Sequence, residues 1–126
     1  MLINEYVELA SRTRVDLDEE ALDTFHMLLG LMTEIGELAD VFKKNLAYGK
    51  KMDDVNIREE IGDILWYLAN LCDVRGYNLE EIMRTNISKL MIRYPEKYSN
   101  HKAINRNIEK ERKVLESKPS FVEKWD

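Results

Sequence analysis

Two segments of the chain combine apolar residues at helical spacing with a pair of acidic residues beside them. The first pair is Glu34 and Glu37, and the second pair is Glu60 and Asp63. On a helical wheel of about 100° per residue, each pair flanks the same edge of its apolar stripe. Two such helices packed side by side would bring four carboxylates to one point. The chain is therefore constrained to a helical fold that can hold this concentration of negative charge.

Apolar periodicity predicts four helices joined by short loops. They are expected over residues 2–14, 18–45 and 78–93, with a third helix that starts near Asp53 or Asp54 and ends near Arg75. Asp16, with Glu19 three residues later, is expected to cap the second helix, and Asp53 or Asp54 the third. The buried stripe of the second helix is expected to contain Met27, Leu28, Leu31, Ile35, Leu38, Val41 and Phe42.

The fold class predicted from these elements is all-α, as an antiparallel four-helix bundle. A chain of 126 residues suits one domain, and the 5 Gly and 2 Pro leave few helix breakers. We assign residues 1–100 to one helical domain and residues 101–126 to a C-terminal extension. The extension is expected to contain a thin helix over residues 103–117 and a tail from Pro119 to Asp126.

Composition excludes several classes of function. The net charge of −5 provides no basic field for a nucleic-acid backbone, so no nucleic-acid partner is expected. The one cysteine, Cys72, excludes an internal disulfide and favours a reducing compartment. No apolar run approaches the roughly 18–20 residues of a membrane span, and the first residues do not resemble a signal peptide. We therefore expect a cytoplasmic protein without a membrane partner.

The acidic pairs predict a site for Mg²⁺, with Mn²⁺ as the second possibility. Both ions prefer oxygen ligands, and no Cys or His adjoins the pairs, which disfavours zinc. A di-iron carboxylate site needs Glu-x-x-His pairs, and neither His26 nor His101 stands three residues after a glutamate. Each pair taken alone is typical of a solvated helix face. Neither pair, however, has a Lys or Arg three or four residues later to neutralise it, which favours a bound cation.

Basic and polar residues near the acidic pairs predict the substrate class. Lys44 follows the first pair, and Lys89 and Arg93 lie four residues apart on the fourth helix. A carboxylate–metal centre ringed by Lys and Arg suits a polyphosphate. Tyr67 and Asn70 extend the acidic stripe of the third helix, where an aromatic ring can stack on a base and an amide can bind its edge. His26, on the second helix, is a further candidate for substrate contact.

Several stretches resemble the MazG-like nucleoside triphosphate pyrophosphohydrolases of the all-α NTP pyrophosphatase superfamily. They are Phe25 to Leu31, Glu34 to Lys44, Glu59 to Leu68 and Asn86 to Pro95. The family signature is Glu-x-x-Glu, a variable spacer and then Glu-x-x-Asp. The similarity covers roughly residues 20–100, and all four acidic positions of the signature are present.

The resemblance implies Mg²⁺-dependent hydrolysis of a nucleoside or deoxynucleoside triphosphate to the monophosphate and pyrophosphate. It implies that the metal ligands are Glu34, Glu37, Glu60 and Asp63. We expect Glu37 to take a proton from the attacking water and Glu60 to be essential for turnover. The resemblance also implies a homodimer or a dimer of dimers, and Trp66 is a candidate interface residue.

Two alternatives remain open at this point. One is a base-specific dUTPase or dCTPase of the same superfamily. The other is a non-catalytic helical dimerisation or regulatory module with a degenerate metal site, although the four intact acidic positions disfavour degeneracy.

Overall fold

A computed structural model describes residues 1–117, and every regular element in that range is an α-helix. The all-α class predicted from the sequence is confirmed. No helix in this range has an apolar stretch long enough to span a membrane. The elements are α1 Ile3–Ser11, α2 Glu20–Tyr48, α3 Asp54–Val74, α4 Leu79–Arg93, α5 Asn100–Ile104 and α6 Ile108–Glu116.

The ends of α2 and α3 follow the local chemistry of the sequence. The Asp53 carboxylate accepts hydrogen bonds from the backbone N–H groups of Val55 and Asn56, at 3.0 and 3.1 Å, so the predicted cap of α3 is confirmed. Gly49 ends α2 with φ 63°, and Gly76 follows α3 with φ 66°. A residue with a Cβ adopts this left-handed conformation only at a cost, which explains glycine at both stops.

The predicted cap of α2 by Asp16 is wrong. The helix begins at Glu20, with Glu19 before it and no side-chain hydrogen bond at the cap. The Asp16 carboxylate instead accepts from the N–H of Asp18, whose φ is 62°. The Asp23 carboxylate accepts from the N–H of Leu17 at 3.0 Å. These two acidic side chains fold the loop on itself, since short polar side chains compete for nearby backbone donors.

The chain forms two compact units, and the second begins at Leu79. The first unit contains α1, α2 and α3, and the second contains α4, α5 and α6. The antiparallel four-helix arrangement and a functional boundary after residue 100 stay predictions. The predicted tail from Pro119 to Asp126 lies outside the described residues.

In the first unit, α2 and α3 are antiparallel neighbours. Gly30 of α2 lies against Tyr67 of α3, and Glu34, one turn later on α2, lies by Glu60, two turns earlier on α3. α1 packs on α3 in the parallel sense. Tyr6 of α1 lies near Asp63, and the carbonyl oxygen of Ala10, one turn later, accepts from the Asn70 amide at 3.5 Å. Just after α1, the Thr13 hydroxyl accepts from the Trp66 indole N–H at 2.8 Å, and Arg14 pairs with Asp73 at 2.8 Å. α3 is thus the central helix of this unit.

The predicted buried stripe of α2 divides into two parts. Met27 is fully buried, and Leu31, Leu38 and Val41 are half-buried. The remaining three members are exposed instead, namely Leu28, Ile35 and Phe42. Helical periodicity identifies an apolar face, but it does not identify what covers that face. The part that faces α3 is therefore narrower than the sequence suggested.

The second unit differs from the single C-terminal helix predicted over residues 103–117. Two short helices form there because Ser99 caps α5 and Asn107 caps α6, each accepting a backbone N–H three residues later. Glu111 of α6 is buried, and its carboxylate is gripped by the guanidinium groups of Arg93 and Arg106. This charged cluster joins α6 to α4.

Gly30 permits the close approach of α2 to α3, and its substitution gives a direct test. A Cβ at Gly30 would overlap the Tyr67 ring, whereas a Cβ at Gly36, on the same helix, would meet no atom within 4 Å. We expect Gly30→Ala to lower the free energy of unfolding by roughly 1–3 kcal/mol, since an overpacked core must shift. We expect Gly36→Ala to raise it by about 0.5–1 kcal/mol through helix propensity. Urea denaturation followed by circular dichroism, with EDTA present, measures both, and equal effects would contradict the packing.

Candidate metal centre

Antiparallel packing of α2 and α3 brings three glutamates together. Glu34 and Glu37 are one turn apart on α2, and Glu60 projects from α3. One carboxylate oxygen of each lies within 4.8 Å of the other two. The structure therefore places together three of the four acidic residues that the sequence singled out. Their role as metal ligands stays a prediction.

The cluster is electrostatically costly without a cation. Glu60 is only 7% exposed, and Glu34 is half-buried. Burial raises the pKa of Glu34, and the charges of Glu37 and Asp63 and a hydrogen bond with Glu60 raise it further. Each cause disfavours the charged form of the Glu34 carboxyl. Like charges at this spacing are the arrangement that a bound cation relieves.

Asp63, the fourth acidic residue, lies outside the group of three oxygens. Asp63 is exposed, yet it is near enough for its charge to raise the pKa of Glu34. Burial raises the pKa of the Tyr6 hydroxyl, and the charge of Asp63 raises it further. Tyr6 was missed by the sequence reasoning, because nothing in the sequence aligns α1 with the acidic stripe of α3.

Asn56 was also missed, and it contacts the cluster directly. Its side-chain amide donates a hydrogen bond to Oε1 of Glu60 at 2.8 Å. Asn56 stands four residues before Glu60 on α3, which places both side chains on one helix face. That spacing was a signal available in the sequence.

A cavity of about 620 Å³ adjoins two of the glutamates. Its lining includes Glu37, Glu60 and Asn56, together with Lys43 and Lys44. Both lysines pair with one carboxylate, that of Asp40, with Nζ–oxygen distances of 3.0 and 2.5 Å. Hydrogen bonds from Lys44 and Lys43 hold the pKa of Asp40 below its usual value. Acidic and basic groups thus face one space.

The predicted substrate residues His26 and Tyr67 are neighbours. Their rings meet edge to face with centroids 6.2 Å apart, and Trp66 packs against the other side of Tyr67 at 4.8 Å. Nδ1 of His26 is buried without a hydrogen-bond partner within residues 1–117. Trp66, predicted as an interface residue, is half-buried, and its indole N–H donates to Thr13, just after α1; its interface role stays a prediction.

Asn70 is fully buried between α1 and α3. Its amide N–H groups donate to the carbonyl oxygens of Trp66, at 3.0 Å, and Ala10, at 3.5 Å. Its side-chain oxygen accepts from the Arg14 guanidinium at 3.2 Å. The prediction that Asn70 binds a base edge stays a prediction, and in this conformation its side chain joins two helices and has no exposed surface.

Lys89 and Arg93 belong to α4, in the second unit. Nε and Nη2 of Arg93 each donate to one oxygen of Glu111 at 2.9 Å. The guanidinium predicted to bind phosphate is therefore paired with a carboxylate of its own unit. Arg93 and Arg106 lower the pKa of Glu111 to about 2. The roles predicted for Lys89 and Arg93 stay predictions.

Comparison with known proteins identifies the family. Residues 22–98 match the MazG nucleotide pyrophosphohydrolase domain, which is more than half of the chain. The chain belongs to the MazG family. The matched range contains all four acidic residues, whereas α1 precedes it. No solved structure matches this MazG-family chain.

A curated relative is the Gene 37 protein of Mycobacterium phage L5. It is 31% identical over 75 residues, covering 54% of this chain and 63% of the phage protein. The chain therefore spans less than two thirds of the length of that relative.

The donor set fits a hard divalent cation. All three close ligand atoms are carboxylate oxygens, which Mg²⁺ and Mn²⁺ prefer, and the neighbouring Asn56 amide holds one carboxylate in place. The residues present thus satisfy the chemistry that the family implies.

Charge repulsion in the cluster predicts opposite effects of one substitution with and without metal. We expect Glu34→Gln to raise the melting temperature in EDTA, because the raised pKa of Glu34 shows that its ionised form opposes folding at neutral pH. We expect Mg²⁺ to raise the melting temperature of the wild type and not that of the variant, because a ligand stabilises only the state that binds it. Calorimetry with EDTA and with Mg²⁺ measures both effects.

Glu59→Gln is the matched control, because Glu59 is an exposed glutamate on α3 next to Glu60. It should keep the rise caused by Mg²⁺. A destabilised Glu34→Gln protein in EDTA would contradict the repulsion described above.

Proposed function

We propose that the protein hydrolyses nucleoside or deoxynucleoside triphosphates to the monophosphate and pyrophosphate in a reaction that requires Mg²⁺, with Mn²⁺ as a substitute. One observation carries the proposal, namely the three glutamate oxygens within 4.8 Å of one another. Membership of a nucleotide pyrophosphohydrolase family and the adjoining cavity with two lysines support it.

The ligands proposed for the metal are Glu34, Glu37 and Glu60, with Asp63 as the outer member of the group. When bound, Mg²⁺ would offset the charge of these carboxylates, polarise the substrate phosphate and increase the acidity of a water molecule. Glu60, buried and hydrogen-bonded to Asn56, has the most fixed position of the four. A fixed carboxylate retains its geometry as the charge on the substrate changes.

Glu37 is the proposed proton acceptor, because it is exposed and lines the cavity beside Glu60. The oxygen of a water molecule would attack the α-phosphorus, and its proton would pass to the Glu37 carboxylate. The bond from the α-phosphorus to the bridging oxygen then breaks, and pyrophosphate leaves with the electron pair.

The lysines are proposed to bind the leaving pyrophosphate. Lys44, together with Lys43, lines the cavity that Glu37 and Glu60 also line, and Asp40 pairs with both ammonium groups. Ammonium groups stabilise negative charge that develops on a leaving phosphate. Lys89 and Arg93 are kept as proposed phosphate contacts, and Arg93 would have to exchange the Glu111 carboxylate for phosphate.

The nucleobase is proposed to lie by Tyr67 and His26. Both are half-buried, and their rings are in contact, so they can present an aromatic surface to a base. Asn70 is retained as a proposed base contact only in a conformation that frees its amide from α1. Stacking of this kind accepts any base, which favours a general triphosphate substrate over the dUTPase or dCTPase alternative.

Pyrophosphate release tests the proposed reaction. We expect release from a panel of nucleoside and deoxynucleoside triphosphates with Mg²⁺ and none with EDTA. We expect Glu60→Gln to lower kcat by at least about 100-fold, since it removes a charged group from the reacting centre. Glu59→Gln, a neutralised neighbour on the same helix, should keep full activity. Wild-type turnover in EDTA, or turnover by Glu60→Gln at the wild-type rate, would contradict the proposal.

We also propose that the protein is a homodimer, or a homotetramer built from dimers, and that α2 carries the contact. The exposed side of α2 shows apolar residues spaced alternately three and four apart, which is the spacing of a coiled-coil seam. Met32 is 70% exposed and Leu46 is 89% exposed. The seam consists of Phe25, Leu28, Met32, Ile35, Ala39, Phe42 and Leu46.

The seam lies on a helix that already packs on α3 by another face. A helix that is apolar on a second face as well is typical of the interior of an assembly. The regular spacing of the seam matches a second helix of the same kind, so a second copy of this chain is the proposed partner.

A charge placed in the seam tests this assembly. We expect Met32→Lys and Ile35→Lys each to lower the molar mass measured by sedimentation to that of a monomer, because a buried unpaired charge is costly. Val55→Lys is the control, since Val55 is 78% exposed on α3, outside the seam. A wild-type monomer at micromolar concentration would contradict the assembly without bearing on the hydrolysis.

A further inference from the structure

Asn56 links the first turn of α3 to the carboxylate cluster. Its backbone N–H donates to Asp53, the cap of the helix, and its side-chain amide donates to Oε1 of Glu60 at 2.8 Å. Asn56 is half-buried and lies in the wall of the cavity with Glu60 and Glu37. Its side chain is thus fixed at one end by the helix and at the other by Glu60.

Glu60 needs a neutral donor of this kind. Its carboxylate is buried beside Glu34 and Glu37, and no Lys or Arg within the described residues forms an ion pair with it. A lysine in place of Asn56 would offset one of the three negative charges and compete with a cation for the carboxylates. An aspartate would add one more negative charge. An amide fixes one carboxylate oxygen without changing the charge of the centre.

We propose that Asn56 is a positioning residue that orients the Glu60 carboxylate toward the point shared with Glu34 and Glu37. The inference rests on the proposed function, because it assumes that this point receives a divalent cation. The amide hydrogen bond occupies Oε1 and so restricts rotation of the carboxylate. Its other oxygen is then left for the cation. Removal of a hydrogen bond that orients a ligand typically costs about 10- to 100-fold in metal affinity.

A purely structural role for Asn56 makes a different prediction. A hydrogen bond between residues four apart on a helix stabilises the helix slightly, whatever occupies the centre. Its loss would lower the stability of the protein in EDTA and leave the affinity for metal unchanged. Affinity and metal-free stability therefore separate the two roles.

The experiment is a titration of the full chain with Mn²⁺, followed by electron paramagnetic resonance of the free ion. We expect Asn56→Ala to raise the Kd for Mn²⁺ by about 10- to 100-fold. Asn56→Leu, which keeps the branched shape but removes the donor, should show the same loss. Urea denaturation in EDTA of each variant establishes that it is folded.

Asn45→Ala is the matched control. The side-chain amide of Asn45 also donates one hydrogen bond, to the carbonyl oxygen of Lys50 at 2.6 Å, where α2 ends. This variant should bind Mn²⁺ as the wild type does. Equal affinity of the wild type and both folded Asn56 variants would overturn the positioning role. Failure of the wild type to bind Mn²⁺ would overturn the metal site, and the inference with it.

Discussion

The fold of the first unit must hold three carboxylates together against their mutual repulsion. Glu34, Glu37 and Glu60 are brought together by two long helices, and no basic side chain in the described part of the chain neutralises them. Their separation is set elsewhere along the same helices. The contact of Gly30 with Tyr67 fixes the distance between α2 and α3, and fully buried Met27 lies near it. Apolar packing a turn away thus compensates for like charges held in close proximity.

α2 is apolar on two faces. One face packs on α3 beside the glutamates, and the exposed face is the seam proposed for self-association. Lys43 and Lys44 of the same helix line the cavity with Glu37. All of these residues belong to one continuous helix, Glu20–Tyr48.

Much of the fold was predictable because its determinants are local. Asp53, Gly49 and Gly76 mark helix ends through chemistry confined to a few residues, and the acidic pairs flank the same edge of two helices. The juxtaposition of Glu34 with Glu60 followed from that pattern alone. Where two local options competed, as for Asp16 at the start of α2, the sequence did not decide between them.

The remaining features depend on what lies opposite each face. Asn70 looked like a site residue because it continues the acidic stripe, yet α1 covers it. The sequence also did not reveal that Arg93, predicted to bind phosphate, pairs with a glutamate 18 residues later. Leu28, Ile35 and Phe42 looked buried because periodicity records that a face is apolar and not which surface meets it. Such contacts join distant parts of the chain and cannot be predicted from the sequence of either part alone.

The grip of two arginines on Glu111 has a consequence for acid conditions. With a pKa of about 2, this carboxylate stays ionised through most of the range in which an ordinary glutamate gains a proton. Its contribution to folding is present above the ordinary value and disappears only as the pH falls toward about 2. Glu34, whose pKa is raised, gains its proton at a higher pH. Mild acid would therefore protonate Glu34, between α2 and α3, while α6 remained tied to α4.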